Sequence, residues 1–249
     1  MRAILTYHSI DESGSVISVS ESVFRGHVAW LARGGVRVVS LDALMRLPAD
    51  ANAVAITFDD GFVNFGDIAA PLLADHGLPS TLFVVSDAVG KTNRWPGRTD
   101  RGVPELPLLN WGSLGRLGAQ GVEIGSHTRT HANVARLSSD ALRDQIAGCD
   151  ERIQSELGLR PTAFAYPYGA VSSAAVAMVG SRYAWGCTTD MRSVQKSEAR
   201  AILPRLDMFY FRDAGQLERW GTPRFHYHLR LRAGARLMRR RLRSLTGDA

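Results

Sequence analysis

Short apolar runs alternate along this chain with longer segments in which apolar side chains recur every three or four positions. Residues 3–7, 54–58, 80–85, 122–124, 163–166 and 184–188 read as strands, with shorter strand-like pieces at 36–40 and 201–205. Between them, 21–33 reads as a helix with Phe24, Val28 and Leu31 on one face. Further helices are predicted over 41–47, through Leu72 and Leu73 to a stop near Gly77, and over 111–119, 138–157 and 172–180. Gly112, Gly115 and Gly118 weaken the third of these. Residues 90–107, rich in Gly, Pro and charge, read as a long loop. Strands alternating with helices predict a parallel sheet. About seven such units predict an α/β fold whose sheet is a closed or nearly closed barrel.

Composition changes this picture mainly at the C-terminal end. The net charge is +6, yet eight arginines and no acid lie between Arg224 and Arg243, which leaves the rest of the chain at −2. The chain therefore divides into a body over 1–215 and a basic helical tail over 216–249. A body without a basic surface argues against a nucleic-acid groove. In the tail, Leu229, Leu231, Leu237, Met238 and Leu242 interleave with the arginines. That pattern fits peripheral contact with an anionic membrane, where each basic residue contributes ~1 kcal/mol, and equally a solvated helix. No apolar run approaches the ~18 residues of a membrane span. Met1-Arg2-Ala3-Ile4-Leu5 enters a strand without the regions of a secretory signal, so a cytoplasmic, at most membrane-associated, protein is expected. Cys149 and Cys187 are too few for a disulfide framework and lack CxxC spacing, so two free thiols are expected.

The chemistry gathers at strand ends, where such a barrel places its active site. Asp59-Asp60-Gly61 closes the strand at 54–58, His127 and His131 follow the strand at 122–124, Tyr166-Pro167-Tyr168 follows another, and His8 ends the first. Asp60, His127 and His131 are the three-ligand set that catalytic zinc uses while keeping a position open for water. The four-residue spacing of the histidines predicts that both imidazoles share one side of a helical turn. Asp59, beside the ligand but off the metal, is placed to act as a base. An Asp pair before Gly alone often marks only a turn; both motifs at strand ends of one domain make the joint reading specific.

Thr57-Phe58-Asp59-Asp60-Gly61, His127-Thr128-Arg129-Thr130-His131 and Phe164-Ala165-Tyr166-Pro167-Tyr168-Gly169 together resemble the polysaccharide deacetylases of the NodB-homology type, carbohydrate esterase family 4. The motifs come in that family's order, and the resemblance covers roughly residues 3–210. The resemblance implies removal of an N- or O-acetyl group from an acetylated carbohydrate on a distorted (β/α) barrel. It implies Asp59 as base, a divalent ion (zinc, or cobalt or another) on Asp60, His127 and His131, and the Tyr168 backbone N–H as an oxyanion donor. Such donors contribute several kcal/mol to transition-state stabilisation.

Two positions depart from that pattern. Ala165 stands where the family often carries an Arg that orients the catalytic Asp, and Arg205 is the expected substitute, reaching in from the last strand. The late His that usually serves as general acid is absent from 202–208, and His8 is its expected replacement, as acid or as substrate contact. His27 and His76 read as ordinary residues. The loop holding Trp95, Arg98, Arg101 and Trp111 either covers the rim and meets sugar rings or is simply pinned by its aromatics. Gly90-Lys91-Thr92 lacks the first Gly of a phosphate loop, and Gly112-Ser113 lacks the Gly two places before the Ser of a nucleophile elbow. The expected function is a metal-dependent hydrolase deacetylating a sugar in polysaccharide or glycolipid metabolism. The alternatives are hydrolysis of a small non-sugar amide on the same scaffold, or a catalytically silent carbohydrate-binding protein.

Overall fold

Two six-residue strands with no exposed position anchor the molecule: β1 (Arg2–Tyr7) and β5 (Ala53–Phe58). Strands buried on both faces read as near-continuous apolar runs, as parallel sheets require. The computed structural model describes residues 1–96 and 102–246, with 214 and 236–246 as backbone only. Between β1 and β5 come β2 (Ser9–Ile10), β3 (Ser18–Val19), α1 (Glu21–Ala32), β4 (Arg37–Val38) and α2 (Leu41–Arg46). After β5 follow α3 (Ala70–Asp75), β6 (Ser80–Val84), α4 (Trp111–Ala119), β7 (Glu123–Ser126) and α5 (Ser139–Leu157). The chain then forms β8 (Ala163–Ala165), α6 (Ser173–Arg182), β9 (Trp185–Cys187), β10 (Leu206–Asp207), α7 (Ala214–Leu217) and α8 (Pro223–Thr246).

The main sheet runs β10-β1-β5-β6-β7-β8-β9, with β4 also on β5, and every pairing is parallel. The period of two sorts its side chains. Leu5, Tyr7, Ile56, Phe58, Leu82, Val84 and Ile124 face the helices, whereas Ile4, Ala53, Ala55, Phe83, Ala163, Ala165 and Cys187 face inward. The inner set is largely alanine, which leaves room for Phe83 and for the fully buried Arg205 lying over its ring at 5.7 Å. Gly125 is required here: a Cβ on it would meet Phe83 Cδ1 at 2.4 Å.

The barrel is curled and all but closed, by a device the sequence pattern did not place correctly. The last strand is Leu206–Asp207, on β1, not 201–205. The stretch before it bonds to β9 instead, with Leu203 N–H donating to Gly186 O at 2.6 Å and Thr188 N–H to Leu203 O at 2.8 Å. Pro204 has no N–H to continue that ladder, and the chain leaves β9 there and joins β1. One segment thus ties the two ends of the sheet together and delivers Arg205 to the barrel interior. The helix expected through Leu72 and Leu73 is also two-part: a π-helical turn over Phe65–Ala69 precedes α3.

Candidate active site

Register decides which residues meet at the rim. Tyr7 pairs with Phe58, so the next residues, His8 and Asp59, leave the sheet side by side. His8 shares the inward parity of Ile4, and its Nε2 lies 3.7 Å from Asp59 Oδ2. Val84 pairs with Ser126, and Ser126 with Phe164, which sets His127 beside Ala165. His127 Nδ1 lies 2.7 Å from Ala165 O; a carbonyl only accepts, so this nitrogen carries the proton and Nε2 keeps its lone pair. Ala165, where an Arg was expected, thus contributes its backbone carbonyl to orienting His127.

The two adjacent aspartates are held in different ways. Asp59 is buried and gripped by both Nη atoms of Arg205, at 2.6 and 2.7 Å, a bidentate ion pair. Arg205 is itself fixed by Nε donating to Thr188 O at 2.9 Å. Burial alone would push the Asp59 carboxyl up, but the Arg205 charge and hydrogen bonds, with His127 and His8, outweigh it and hold Asp59 below the usual carboxylate range. Asp60 has no such cation gripping it. Its Oδ1 lies 3.5 Å from His127 Nε2 and 3.5 Å from His131 Nε2, is buried, and has no hydrogen-bond partner among the described residues.

These three donors fit a small divalent ion. One atom from each of Asp60, His127 and His131 lies within 4.8 Å of the others. Tetrahedral ligands at ~2.0–2.1 Å stand about 3.4 Å apart, close to the two 3.5 Å separations from Asp60 Oδ1. Burial pushes His127 down to about 4 and His131 well below its ordinary value, so both imidazoles are neutral and able to donate a lone pair near pH 7. Burial also pushes Asp60 up to about 7, with the Asp59 charge adding to it against His8 and Arg205. A buried oxygen with no donor facing it and two neutral imidazoles beside it are what a cation would satisfy.

The loop carrying the histidines is not the helical turn expected from their spacing. Thr128 and His131 adopt left-handed φ angles of 68° and 58°, so the chain turns sharply after β7 and brings His131 back toward His127, with ring centroids 4.9 Å apart. The non-glycine residues with positive φ among those described are Asp60, Thr128, His131 and Tyr168, all in these motif loops. Such conformations cost roughly 1–3 kcal/mol each and persist where surrounding structure imposes them. Here that structure is visible. Arg129 bridges Asp87 and Asp144, while Arg129 N–H donates to Gln145 O at 3.1 Å and Thr130 N–H to Gln145 Oε1 at 3.0 Å. Gly148 on α5 makes way for Arg129, whose Cδ would lie 2.7 Å from an added Cβ.

Trp95 and Tyr168 complete the site from the rim. Their ring centroids lie 4.3 and 4.6 Å from that of His131. Tyr168 has φ 61°, and Gly169 after it has φ 64° with Thr189 Oγ1 only 2.1 Å from where a Cβ would stand. We expect Gly169→Ala to displace this loop and lower both Tm and turnover; thermal melting and activity assays check it, and an unchanged pair would contradict it. Trp111 is elsewhere, at the start of α4 with the Arg152 guanidinium 6.0 Å from its ring, so it pins helices and not the rim. Arg98 and Arg101 lie outside the described residues. His27 is a core residue between Tyr7 and the Phe211 carbonyl, and His76 caps α3. Sequence reasoning missed the roles of Arg129 and Gln145 around His131 and, having read the Trp95 loop as either covering the rim or merely pinned, did not foresee the contact of Trp95 with His131. Only the charge inside His127-Thr128-Arg129-Thr130-His131 hinted at the first.

Comparison with known proteins agrees with this geometry. The family model described as polysaccharide deacetylase matches residues 46–182. YxkH of Bacillus subtilis is 24% identical over 209 residues, 82% of this chain and 70% of that protein. A chitin deacetylase from Pestalotiopsis is 29% identical over 136 residues, 52% of this chain and 38% of its own length. In fold, the Streptococcus pyogenes deacetylase PplD, solved with acetate, superposes with a TM-score of 0.69 at 21% identity, covering 82% of this chain and 91% of that one. IcaB from Ammonifex degensii gives 0.67 at 22%, covering 83% and 91%. A polysaccharide deacetylase model that matches more than half of this chain, on a curled parallel barrel with the motif residues at one rim, places the chain in the polysaccharide deacetylase family.

Proposed function

We propose that the chain is a metal-dependent hydrolase that removes the acetyl group from an N-acetylated sugar in a polysaccharide or glycolipid. The observation that carries this reading is the division of labour between adjacent carboxylates. Asp60 faces two neutral imidazoles, and Asp59 is turned away and locked by Arg205. Asp60, His127 and His131 would hold a divalent ion, best matched by zinc, which when bound would supply Lewis acidity and a water acidic enough to ionise near neutral pH.

The chain's own groups do the rest. Asp59, kept ionised by Arg205, accepts the proton of the attacking water at Oδ2, the oxygen facing His8. The Tyr168 backbone N–H donates to the developing oxyanion, its position set by the left-handed turn. His127 is fixed by Ala165, and His131 is wedged between Trp95 and Tyr168, so neither ring needs to reorganise during reaction. His8 protonates the leaving amine. We expect His8→Ala to retain its fold and metal while turnover falls on the order of 10²–10⁴-fold, the contribution of a positioned general acid. Turnover intact in that variant would remove His8 from the mechanism.

Relatives support the N-acetyl assignment. One is named chitin deacetylase, and another, from Bacillus cereus, peptidoglycan-N-acetylglucosamine deacetylase, 27% identical over 125 residues. The test is acetate release from three substrates presented to the zinc-loaded protein: an N-acetylglucosamine oligomer, an O-acetylated oligosaccharide and a small acetamide. Release from the first is expected. Release confined to the O-acetylated sugar or to the small amide would replace this reading with the corresponding alternative.

A further inference from the structure

The basic C-terminal helix is placed where it can act with the active-site mouth. At its start Trp220 Nε1 donates to Asn52 at 2.9 Å, and Asn52 precedes β5, so this end lies where the strands begin. Further along, His228 packs on Phe211 at 5.6 Å and the Arg232 guanidinium lies 5.4 Å from the Tyr210 ring. Tyr210 and Phe211 follow β10, and the neighbouring Arg212 donates to the Gly14 and Ser15 carbonyls of the loop after His8. Helix α8 therefore climbs the body from the strand starts to the active-site rim. Phe225 and Leu229 are buried against the core on the way, and Ala233 still touches it. The backbone helix continues to Thr246, roughly 20 Å beyond Ala233 at ~1.5 Å per residue.

The outer side of that helix is both apolar and cationic. Tyr227 is 65% and Leu231 55% exposed. The same sequence spacing continues at Met238, Leu242 and Leu245, steps of seven, four and three residues from Leu231. Arg224 and Arg230 are exposed and make no ion pair among the described residues. The chain has no acid between Glu218 and Asp248. Two copies of this helix placed stripe to stripe would bring arginines together, which disfavours self-association and favours an anionic partner. A second observation points the same way. The other exposed large hydrophobic side chains among the described residues are Val16, Tyr168 and Val171, all in loops at the mouth end. Among the described residues, exposed large apolar side chains are thus confined to α8 and to the rim it climbs toward.

We propose that α8 docks on an anionic lipid bilayer, its Tyr227–Leu231 stripe in the headgroup region and its arginines on lipid phosphates, with the active-site mouth turned toward the membrane. An amphipathic, Arg-rich helix lying in the interface is a recognised binding mode, with apolar burial and charge attraction acting together. Docking does not depend on the deacetylase reading; only its consequence, preference for membrane-presented glycans, does.

The test is cosedimentation of the full chain with phosphatidylcholine vesicles, with and without phosphatidylglycerol. Binding is expected to the mixed vesicles only and to weaken as salt rises, a readout that needs no variant. Arg239→Glu/Arg240→Glu/Arg241→Glu should weaken it on the order of a hundredfold, and Leu231→Glu should weaken it too, with thermal melting unchanged in both. Because Cys149 and Cys187 are buried, an environment-sensitive dye can be placed selectively at Val171→Cys on the rim or Asp50→Cys at the strand-start end. Its emission should shift on vesicles at the first site and stay put at the second. No vesicle binding, equal binding to neutral vesicles, binding indifferent to Leu231→Glu and displaced by soluble polyanions, or a dimer that Leu231→Glu dissociates would each overturn the docking. A shift at Asp50→Cys alone would overturn the orientation.

Discussion

Replacing Arg205 by methionine should lower Tm by on the order of ten degrees and take turnover close to background. The side chain has no exposed surface and makes every contact inside the barrel, forking onto Asp59 and donating to Thr188 O. Removing one partner of a buried pair leaves the other charge desolvated and uncompensated, at about 3–5 kcal/mol. In a chain of this size each kcal/mol moves Tm by about 2–4 °C. Methionine fills comparable volume, so the loss reports the charge more than a cavity. The same change releases Asp59 from the cation that offsets its burial, and its pKa rises. Less of it is ionised at a given pH, so the acid limb of kcat moves to higher pH. Arg205→Lys should recover part of the stability, since it restores a charge without the fork. A Met variant as stable and active as the parent would mean that Arg205 does not hold Asp59 in solution.

Asp59→Asn should separate metal binding from chemistry. Asp60, His127 and His131 supply the donor set without it, so metal content measured on the purified variant should stay at the wild-type level. Acetate release should fall on the order of 10²–10⁴-fold, because asparagine keeps the shape and a hydrogen bond to Arg205 but cannot take a proton. Asp60→Asn should show the other pattern, losing bound metal together with activity. Equal metal loss in both variants would make Asp59 a ligand and require another base.

Much of the fold was legible because the strands are buried on both faces. Runs such as Ala53–Phe58 have one apolar signature whatever their neighbours, and the helices between them carry clear stripes. The candidate site was legible because its groups sit at the ends of those strands, and register does the rest. Tyr7 opposite Phe58 makes His8 and Asp59 neighbours whether or not a reader knows why. What the residues did not disclose depends on backbone conformations that side-chain patterns do not encode. The four-residue spacing of His127 and His131 implies a helix only if the chain between them is helical, and left-handed Thr128 and His131 make it a tight loop. The last strand shifted because Pro204 ends one ladder and frees the chain to join another, a choice set by the geometry of barrel closure and not by apolar periodicity. The support of the His131 loop by Arg129 and Gln145 is equally tertiary, since α5 must first be in place. The α8 helix was visible as charge, but Phe225 and Leu229 gave no sign that its first turns belong to the core.

If a divalent ion on Asp60, His127 and His131 works with Asp59 to release acetate, removing the ion must remove the activity. The most direct measurement is acetate release from an N-acetylglucosamine oligomer by protein stripped with a chelator, titrated with zinc while bound metal is counted. No release is expected from the stripped protein, and activity should rise in step with zinc until about one ion is bound per chain. Full activity in the stripped protein, or no release at full occupancy of that site, would contradict it.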